Sequence, residues 1–128
     1  MLVVSDEDFS RIISSSLDEL PPQYVTGLKN VLITYENQPT AEQVEKQKLL
    51  PFQTLFGLYE GVPLTKRNAG YQFLLPDRIT IFKLPLVQAS STMAELKARV
   101  KHTLWHEIAH FYGLDHSRIQ EIENNWVN

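Results

Sequence analysis

Three histidines and a glutamate near the end of the chain have the spacing of a metal-dependent hydrolase site. Residues 106–116 have the pattern H-E-x-x-H-x-x-G-x-x-H. Residues four apart on a helix lie on the same face, so His106 and His110 can both direct a ring nitrogen toward one metal ion. Glu107 lies on an adjoining face, where it can activate a metal-bound water without being a ligand itself.

The second half of the motif predicts a turn that brings a third histidine back to the metal. Gly113 can adopt the left-handed conformation that ends a helix. That turn would let His116 complete a site of three nitrogens with an open fourth position, as catalytic zinc requires. Shuffled chains of this composition would contain the full pattern only about once in 10⁵. The motif therefore predicts a Zn²⁺ site with Glu107 as the catalytic base and three histidine ligands, His106, His110 and His116.

Other residues compete for places in this site. Glu121 or Glu123 would give a site of two histidines and one glutamate, which zinc also accepts. His102 lies one helical turn before His106 and would close the site as a fourth ligand, although a surface histidine is the simpler interpretation. Asp115 either hydrogen-bonds a ligand imidazole or caps the last helix. The sequence leaves these alternatives open.

The composition is that of an ordinary globular protein. The 128 residues are enough for one domain, spanning 1–128, with 43% hydrophobic and 21% charged residues. A net charge of −3 gives no overall attraction to nucleic acid or anionic membranes. The chain has no cysteine, so a metal must use imidazole, carboxylate or water ligands. It also lacks a secretory signal and an apolar run of about 20 residues, so we expect a cytoplasmic protein that does not enter the membrane.

The elements that must position the motif follow from local patterns. Apolar residues at helical spacing predict a first helix from Ser5 or Asp6 to about Leu17, and a short helical turn is expected at 24–28. Runs of β-branched and aromatic residues predict strands at 30–36 and 78–83, and 55–63 predicts a shorter strand with edge character. Residues 37–51 are predicted as loop with some helix, 64–71 as loop and 73–75 as extended.

The motif itself lies on a predicted helix that should be buried almost all round. Thr92 and Glu95 have the spacing of a capping box at its start. Two apolar faces follow, formed by Leu96, Val100, Leu104, Ile108, Phe111 and by Trp105, Ala109, Tyr112. A last helix should direct three apolar side chains to the core, Ile119, Ile122 and Trp126.

The zinc motif and residues 57–67, GLYEGVPLTKR, resemble those of the bacterial zincin-like metallopeptidases, a family first described as a domain of unknown function. Shorter similar stretches at 17–21, 30–31 and 75–82 extend the resemblance over nearly the whole chain. The resemblance implies a compact α+β fold. A small mixed sheet of three to four strands would pack with an N-terminal helix, the motif-bearing helix and a C-terminal helix. It also implies a peptidase that acts on peptides or proteins.

The resemblance also suggests residues that line a substrate cleft: Tyr59, Glu60, Arg67 and Arg78. Tyr59 would donate a hydrogen bond to an oxyanion, or it simply packs in its strand. Strand 57–61, if it forms a sheet edge beside the helix, could pair with an extended peptide. The histidine at the end of the motif is also found in metzincins, which place a methionine turn after it. Residues 117–128 contain no methionine, so that support is not expected here.

Two other functions fit parts of the pattern. Endonucleases of ribosomal RNA maturation carry a similar H-G-x-x-H-x-x-G-x-x-H motif, but without the glutamate that Glu107 supplies here. Their phosphate substrate also requires cations, which this chain offers only near Lys97, Arg99 and Lys101. A non-catalytic zinc-binding domain is the second alternative. We expect a zinc-dependent hydrolase, a minimal metallopeptidase with no nucleic-acid partner; its oligomeric state is not predicted.

Overall fold

The computed structural model describes residues 2–49, 54–68 and 75–127. The described residues form six α-helices, one 3₁₀ turn and three strands, so the predicted α+β class is confirmed. In chain order these are α1 Asp6–Glu19, α2 Pro22–Thr26, β1 Val31–Glu36, α3 Ala41–Lys46, β2 Gly57–Glu60, the 3₁₀ turn Leu64–Lys66, β3 Asp77–Phe82, α4 Lys83–Gln88, α5 Met93–Tyr112 and α6 His116–Val127. Most of the extended segment predicted at 73–75 lies outside the described residues.

The three strands form one mixed sheet in the order β1-β3-β2. β1 runs parallel to β3, with Val31 opposite Asp77. β2 runs antiparallel to β3, with Gly57 opposite Ile81. Within the described residues β2 is therefore an edge strand, as its glycines predicted, although it is shorter than the predicted 55–63. β2 and β3 both contact α5, so the sheet supports the helix that carries the motif.

A capping serine and a proline determine where helix α1 begins and ends. The Ser5 hydroxyl accepts a hydrogen bond from the backbone N–H of Asp8 at 3.1 Å and so caps the helix. Leu20 is extended, with ψ 160°, because the following proline disfavours helix at this position. The helix therefore reaches Glu19, two residues beyond the predicted end. Its predicted apolar stripe is buried, consisting of Phe9, Ile12, Ile13, Ser16 and, just after the helix, Leu20.

Helix α5 is the centre of the molecule and carries the metal motif. It starts after Thr92, whose hydroxyl accepts the N–H of Glu95 at 3.1 Å, and it ends at Gly113. Every residue of its predicted main stripe is at most 1% exposed, namely Leu96, Val100, Leu104, Ile108 and Phe111. Trp105 and Ala109 are also fully buried, as the second face predicted. Although α5 has 20 residues, no helix of the described chain is long and apolar enough to cross a bilayer.

The short helices differ most from the sequence-based prediction. α4 follows β3 directly, and Pro85 lies in its first turn, where a missing backbone N–H costs no helical hydrogen bond. No helix was predicted here, because a proline soon after the predicted strand 78–83 indicates from sequence only where that strand must end. α2 starts at Pro22, two residues before the predicted turn. α3 lies in the segment predicted as loop with some helix and is capped by Thr40.

Helix α6 packs against α5 and places its first residue, His116, beside the metal motif. The Asp115 carboxylate accepts the N–H of Arg118 at 2.8 Å, so Asp115 caps the helix, one of the two roles predicted for it. Ile119 and Ile122 are buried in the core, as predicted. The indole N–H of Trp105 donates to the carbonyl oxygen of Ile119 at 3.2 Å and fixes the two helices relative to each other.

Candidate metal centre

Three of the four predicted site residues lie together on one face of α5. A ring nitrogen of His106, a ring nitrogen of His110 and a carboxylate oxygen of Glu107 all lie within 4.8 Å of one another. The ring centroids of the two histidines are 4.5 Å apart. Within the described residues this is the one cluster of three such groups that could hold a metal ion. The helical spacing of the motif therefore produces the predicted convergence.

The fourth predicted residue, His116, lies next to this cluster. Gly113 adopts the predicted left-handed conformation, with φ 74° and ψ 27°, and turns the chain into α6. The ring of His116 is exposed, and its centroid is 6.1 Å from that of His106. His116 is not a member of the 4.8 Å cluster. The structure thus confirms the turn and brings the third histidine to the edge of the site.

Glu107 controls the electrostatics of the cluster. It is buried, with 7% of the residue exposed, and its Oε1 is 3.3 Å from Nδ1 of His110. The hydrogen bond with Glu107 raises the pKa of His110, although burial acts in the opposite direction. Burial of the ring lowers the pKa of His106 and favours its neutral form, although the charge of Glu107 opposes this effect. A neutral imidazole is the form that binds metal.

The alternative ligands are engaged elsewhere. Glu121 is exposed and forms an ion pair with Arg118 at 2.9 Å. Oε2 of Glu123 lies 2.5 Å from Nδ1 of His102, whose side chain is 54% exposed. His102 therefore lies at the surface, as the simpler interpretation predicted, but in contact with a carboxylate that the sequence did not pair with it.

Three of the four residues suggested by the resemblance, Tyr59, Glu60 and Arg78, line one pocket of about 460 Å³, whereas Arg67 is not part of its lining. The hydroxyl of Tyr59 donates to Oδ2 of Asp77 at 2.6 Å, and Nη2 of Arg67 donates to the same oxygen at 2.5 Å. Burial and the negative charge of Asp77 raise the pKa of Tyr59. The hydroxyl of Tyr59 therefore faces a buried carboxylate, which favours the packing role. Glu60 and Arg78 are exposed.

Asp77 is the residue that sequence reasoning missed. It is 4% exposed and accepts hydrogen bonds from two side chains that are distant in sequence. One signal was available. Asp77 directly precedes the predicted strand 78–83 and lies within the 75–82 stretch of the resemblance, and a carboxylate that is buried there requires a partner. The identity of that partner depends on the fold.

Two histidines four residues apart on a helix, with a glutamate after the first, are the metal-binding element of a class of metalloproteases. The model of the zincin-like metallopeptidase family matches residues 28–126. The match includes all three strands, α5 and most of α6, and the chain therefore belongs to the zincin-like metallopeptidase family. Comparison with curated proteins gives no significant match. Family membership confirms the resemblance and implies zinc as the metal and peptides or proteins as substrates.

Proposed function

We propose that this protein is a single-domain zinc peptidase with Glu107 as its catalytic base and three zinc ligands, His106, His110 and His116. The observation that carries the proposal is the cluster on α5, where the donor atoms of two histidines and a buried glutamate lie within 4.8 Å. The donor set fits zinc, since imidazole and carboxylate are both zinc ligands and the chain has no thiolate to offer. Zinc, when bound, lowers the pKa of its water to about 7 and polarises a carbonyl group.

His116 is the best-supported third ligand. The left-handed turn at Gly113 directs the chain back, so that the His116 ring lies 6.1 Å from that of His106. Glu121 binds Arg118, and Oε2 of Glu123 binds His102, although Oε1 of Glu123 is buried without a hydrogen-bond partner among the described residues. The exposure of His116 leaves its ring free to turn toward the cluster.

Glu107 has the surroundings of a general base. Its side chain is only 9% exposed, and a site of low polarity would strengthen its interaction with an attacking water. It would accept a proton from that water and transfer it to the amine that leaves the peptide. Its position near Nδ1 of His110 also leaves Nε2 of that ring available for the metal.

The edge of β2 is the proposed binding surface for an extended peptide. Phe56 and Phe82 are hydrogen-bonded partners, since Phe82 N–H donates to Phe56 O at 2.9 Å. In an antiparallel pair, residues whose backbone groups bond to the opposite strand alternate with residues whose groups point away from it. Leu58 and Glu60, two and four residues after Phe56, therefore direct their backbone groups toward β3. Gly57 and Tyr59 therefore direct theirs to the free edge. The face of β2 beside this edge packs against α5, because a β-carbon on Gly57 would come within 2.6 Å of Thr103 Cγ2.

Peptide binding should slow amide hydrogen exchange at Gly57 and Tyr59. A substrate peptide that pairs with β2 would accept or donate hydrogen bonds at these two residues. The measurement is exchange monitored by NMR on the Glu107→Gln variant, with and without an unstructured peptide. The amides of Leu58 and Glu60 are internal controls, because their bonds to β3 already protect them. Equal exchange at Gly57 and Tyr59 with and without bound peptide would contradict pairing at this edge.

Paired assays on peptide and RNA substrates distinguish this function from its rivals. Of the three cations near residue 100, Lys101 gives little support to phosphate binding, because its Nζ lies 3.5 Å from Glu19 and 4.3 Å from the centroid of the Trp126 ring. Zinc-loaded wild-type protein should cleave a peptide library and leave RNA intact. Cleavage of RNA alone would support the endonuclease, and cleavage of neither by zinc-loaded protein would support a non-catalytic zinc domain.

A further inference from the structure

We propose that a buried cluster of Tyr59, Arg67 and Asp77 positions the metal centre by fixing the 61–67 loop against the end of α5. The three residues belong to β2, to the end of this loop and to the start of β3. The inference rests on the proposed function only in taking His116 as a zinc ligand. None of the three residues is a catalytic residue in this account; they act through the backbone turn that leads to His116.

The cluster is an ion pair held inside the protein. The side chains of Arg67 and Asp77 are only 9% and 5% exposed, and both Arg67 Nη2 and the Tyr59 hydroxyl donate to Oδ2 of Asp77. Burying two charges costs free energy of folding. Apolar residues of similar size in place of a buried ion pair often give a protein equal or greater stability. The ion pair instead gives the cluster a defined geometry, because a charge-assisted hydrogen bond fixes the position of the Arg67 guanidinium.

Asp77 holds both ends of the 61–67 loop. At one end, Gly61 lies so close to the Asp77 carboxylate that a β-carbon on Gly61 would collide with it. At the other end, Arg67 binds Asp77, and its Nε also donates to the carbonyl oxygen of Val62 at 2.7 Å. The loop is thereby closed on itself and attached to the sheet at the same carboxylate.

The loop in turn contacts the last residues of α5 and the turn that leads to His116. The guanidinium of Arg67 lies 5.4 Å from the ring centroid of Phe111, which directly follows His110. Tyr59 contacts the same ring edge-on, with centroids 6.1 Å apart. Thr65 packs against Gly113, where a β-carbon would overlap the threonine side chain.

A displacement of this loop would therefore change the position of His116 relative to the two ligands on α5. Zinc holds imidazole nitrogens at about 2.0–2.1 Å in tetrahedral geometry, so a displaced His116 ring would bind the metal less well. Residues that orient ligands without touching the metal commonly contribute 10- to 100-fold to metal affinity. Because Tyr59 and Gly57 also form the free edge of β2, the same cluster holds the proposed substrate strand and the metal-binding turn at a fixed separation.

The test is the zinc dissociation constant of two variants, measured by competition with a chromophoric chelator. Asp77→Asn removes the charge that holds Arg67, and we expect zinc to bind at least about 10-fold more weakly. Thr65→Ala leaves the ion pair intact and removes only the contact with Gly113, so a smaller loss, of about 3-fold or more, is expected. The matched control is Val87→Ala, a truncation of a buried residue on α4. It should lower the denaturation midpoint while zinc affinity stays within about twofold of wild type.

The outcomes separate this inference from the proposed function, since neither measurement requires peptidase activity. Wild-type protein that binds no zinc would overturn both. Zinc binding by wild type, with both variants folded and within twofold of its affinity, would overturn the positioning role alone. If Asp77→Asn does not fold, Thr65→Ala decides, and unchanged affinity in that variant overturns the proposed route through Gly113. An equal loss of affinity in Val87→Ala would also overturn it, because the effect would then follow from stability.

Discussion

Replacing Glu107 with glutamine should lower peptide hydrolysis by about 10²- to 10⁴-fold while zinc binding is retained. Glutamine has nearly the same shape as glutamate and can still accept a hydrogen bond from His110, so the helix and the two imidazoles should stay in place. It cannot accept the proton of the attacking water at neutral pH. The measurement is kcat/KM on a cleaved peptide, together with the zinc content of the same preparation.

A matched control is Glu95→Gln, which makes the same change of charge at an exposed position of α5. Its rate and zinc content should equal those of wild type. The hydrolysis rate and the zinc content together show whether Glu107 acts as the base or as a zinc ligand. Both roles are possible, because its carboxylate lies among the possible ligand atoms. Loss of zinc together with activity would identify Glu107 as a ligand. Retention of zinc with a rate within tenfold of wild type would contradict its role as the base.

Replacing Trp105 with alanine should lower the free energy of unfolding by about 3–5 kcal/mol. Trp105 is fully buried, its ring lies edge-on to Tyr24 with centroids 5.1 Å apart, and its N–H binds the carbonyl oxygen of Ile119. Truncation would leave a large cavity between α5 and α6 and remove the indole hydrogen bond to the Ile119 carbonyl, which lies within α6. Urea denaturation followed by circular dichroism measures the change.

Trp105→Phe is the control that separates packing from hydrogen bonding. Phenylalanine keeps most of the ring but cannot donate to Ile119, so we expect a smaller loss than for alanine, including about 0.5–1.5 kcal/mol for the lost hydrogen bond. A loss below about 1 kcal/mol for Trp105→Ala would contradict the structure, because such a loss is typical of a surface position.

The motif helix could be predicted from sequence because its determinants are local. Thr92 at the start, the apolar period and Gly113 at the end act within a few residues of where they stand, and α5 has those bounds in the structure. The convergence of His106 and His110 follows from the helix alone. The edge position of β2 was also predictable, since glycines are rarely tolerated at the centre of a sheet.

The parts that could not be predicted depend on how distant segments pack. Asp77 contacts Tyr59 because β2 pairs with β3, and it contacts Arg67 because the 61–67 loop returns to the start of β3. The partners of the rival carboxylates were equally hidden, because Glu123 reaches His102 only once α6 lies along α5. Local patterns also failed near Pro85, because β3 ends at Phe82 and α4 begins at the next residue, with Pro85 in its first turn.

The zinc content of purified protein tests the central claim most directly. Wild-type protein purified in the presence of zinc and then dialysed should retain one zinc ion per chain, whereas the His110→Ala variant should retain little, since it loses one of the proposed ligands. Circular dichroism would confirm that both are folded. Folded wild-type protein without stoichiometric zinc, or equal zinc in the His110→Ala variant, would contradict the proposed metal centre.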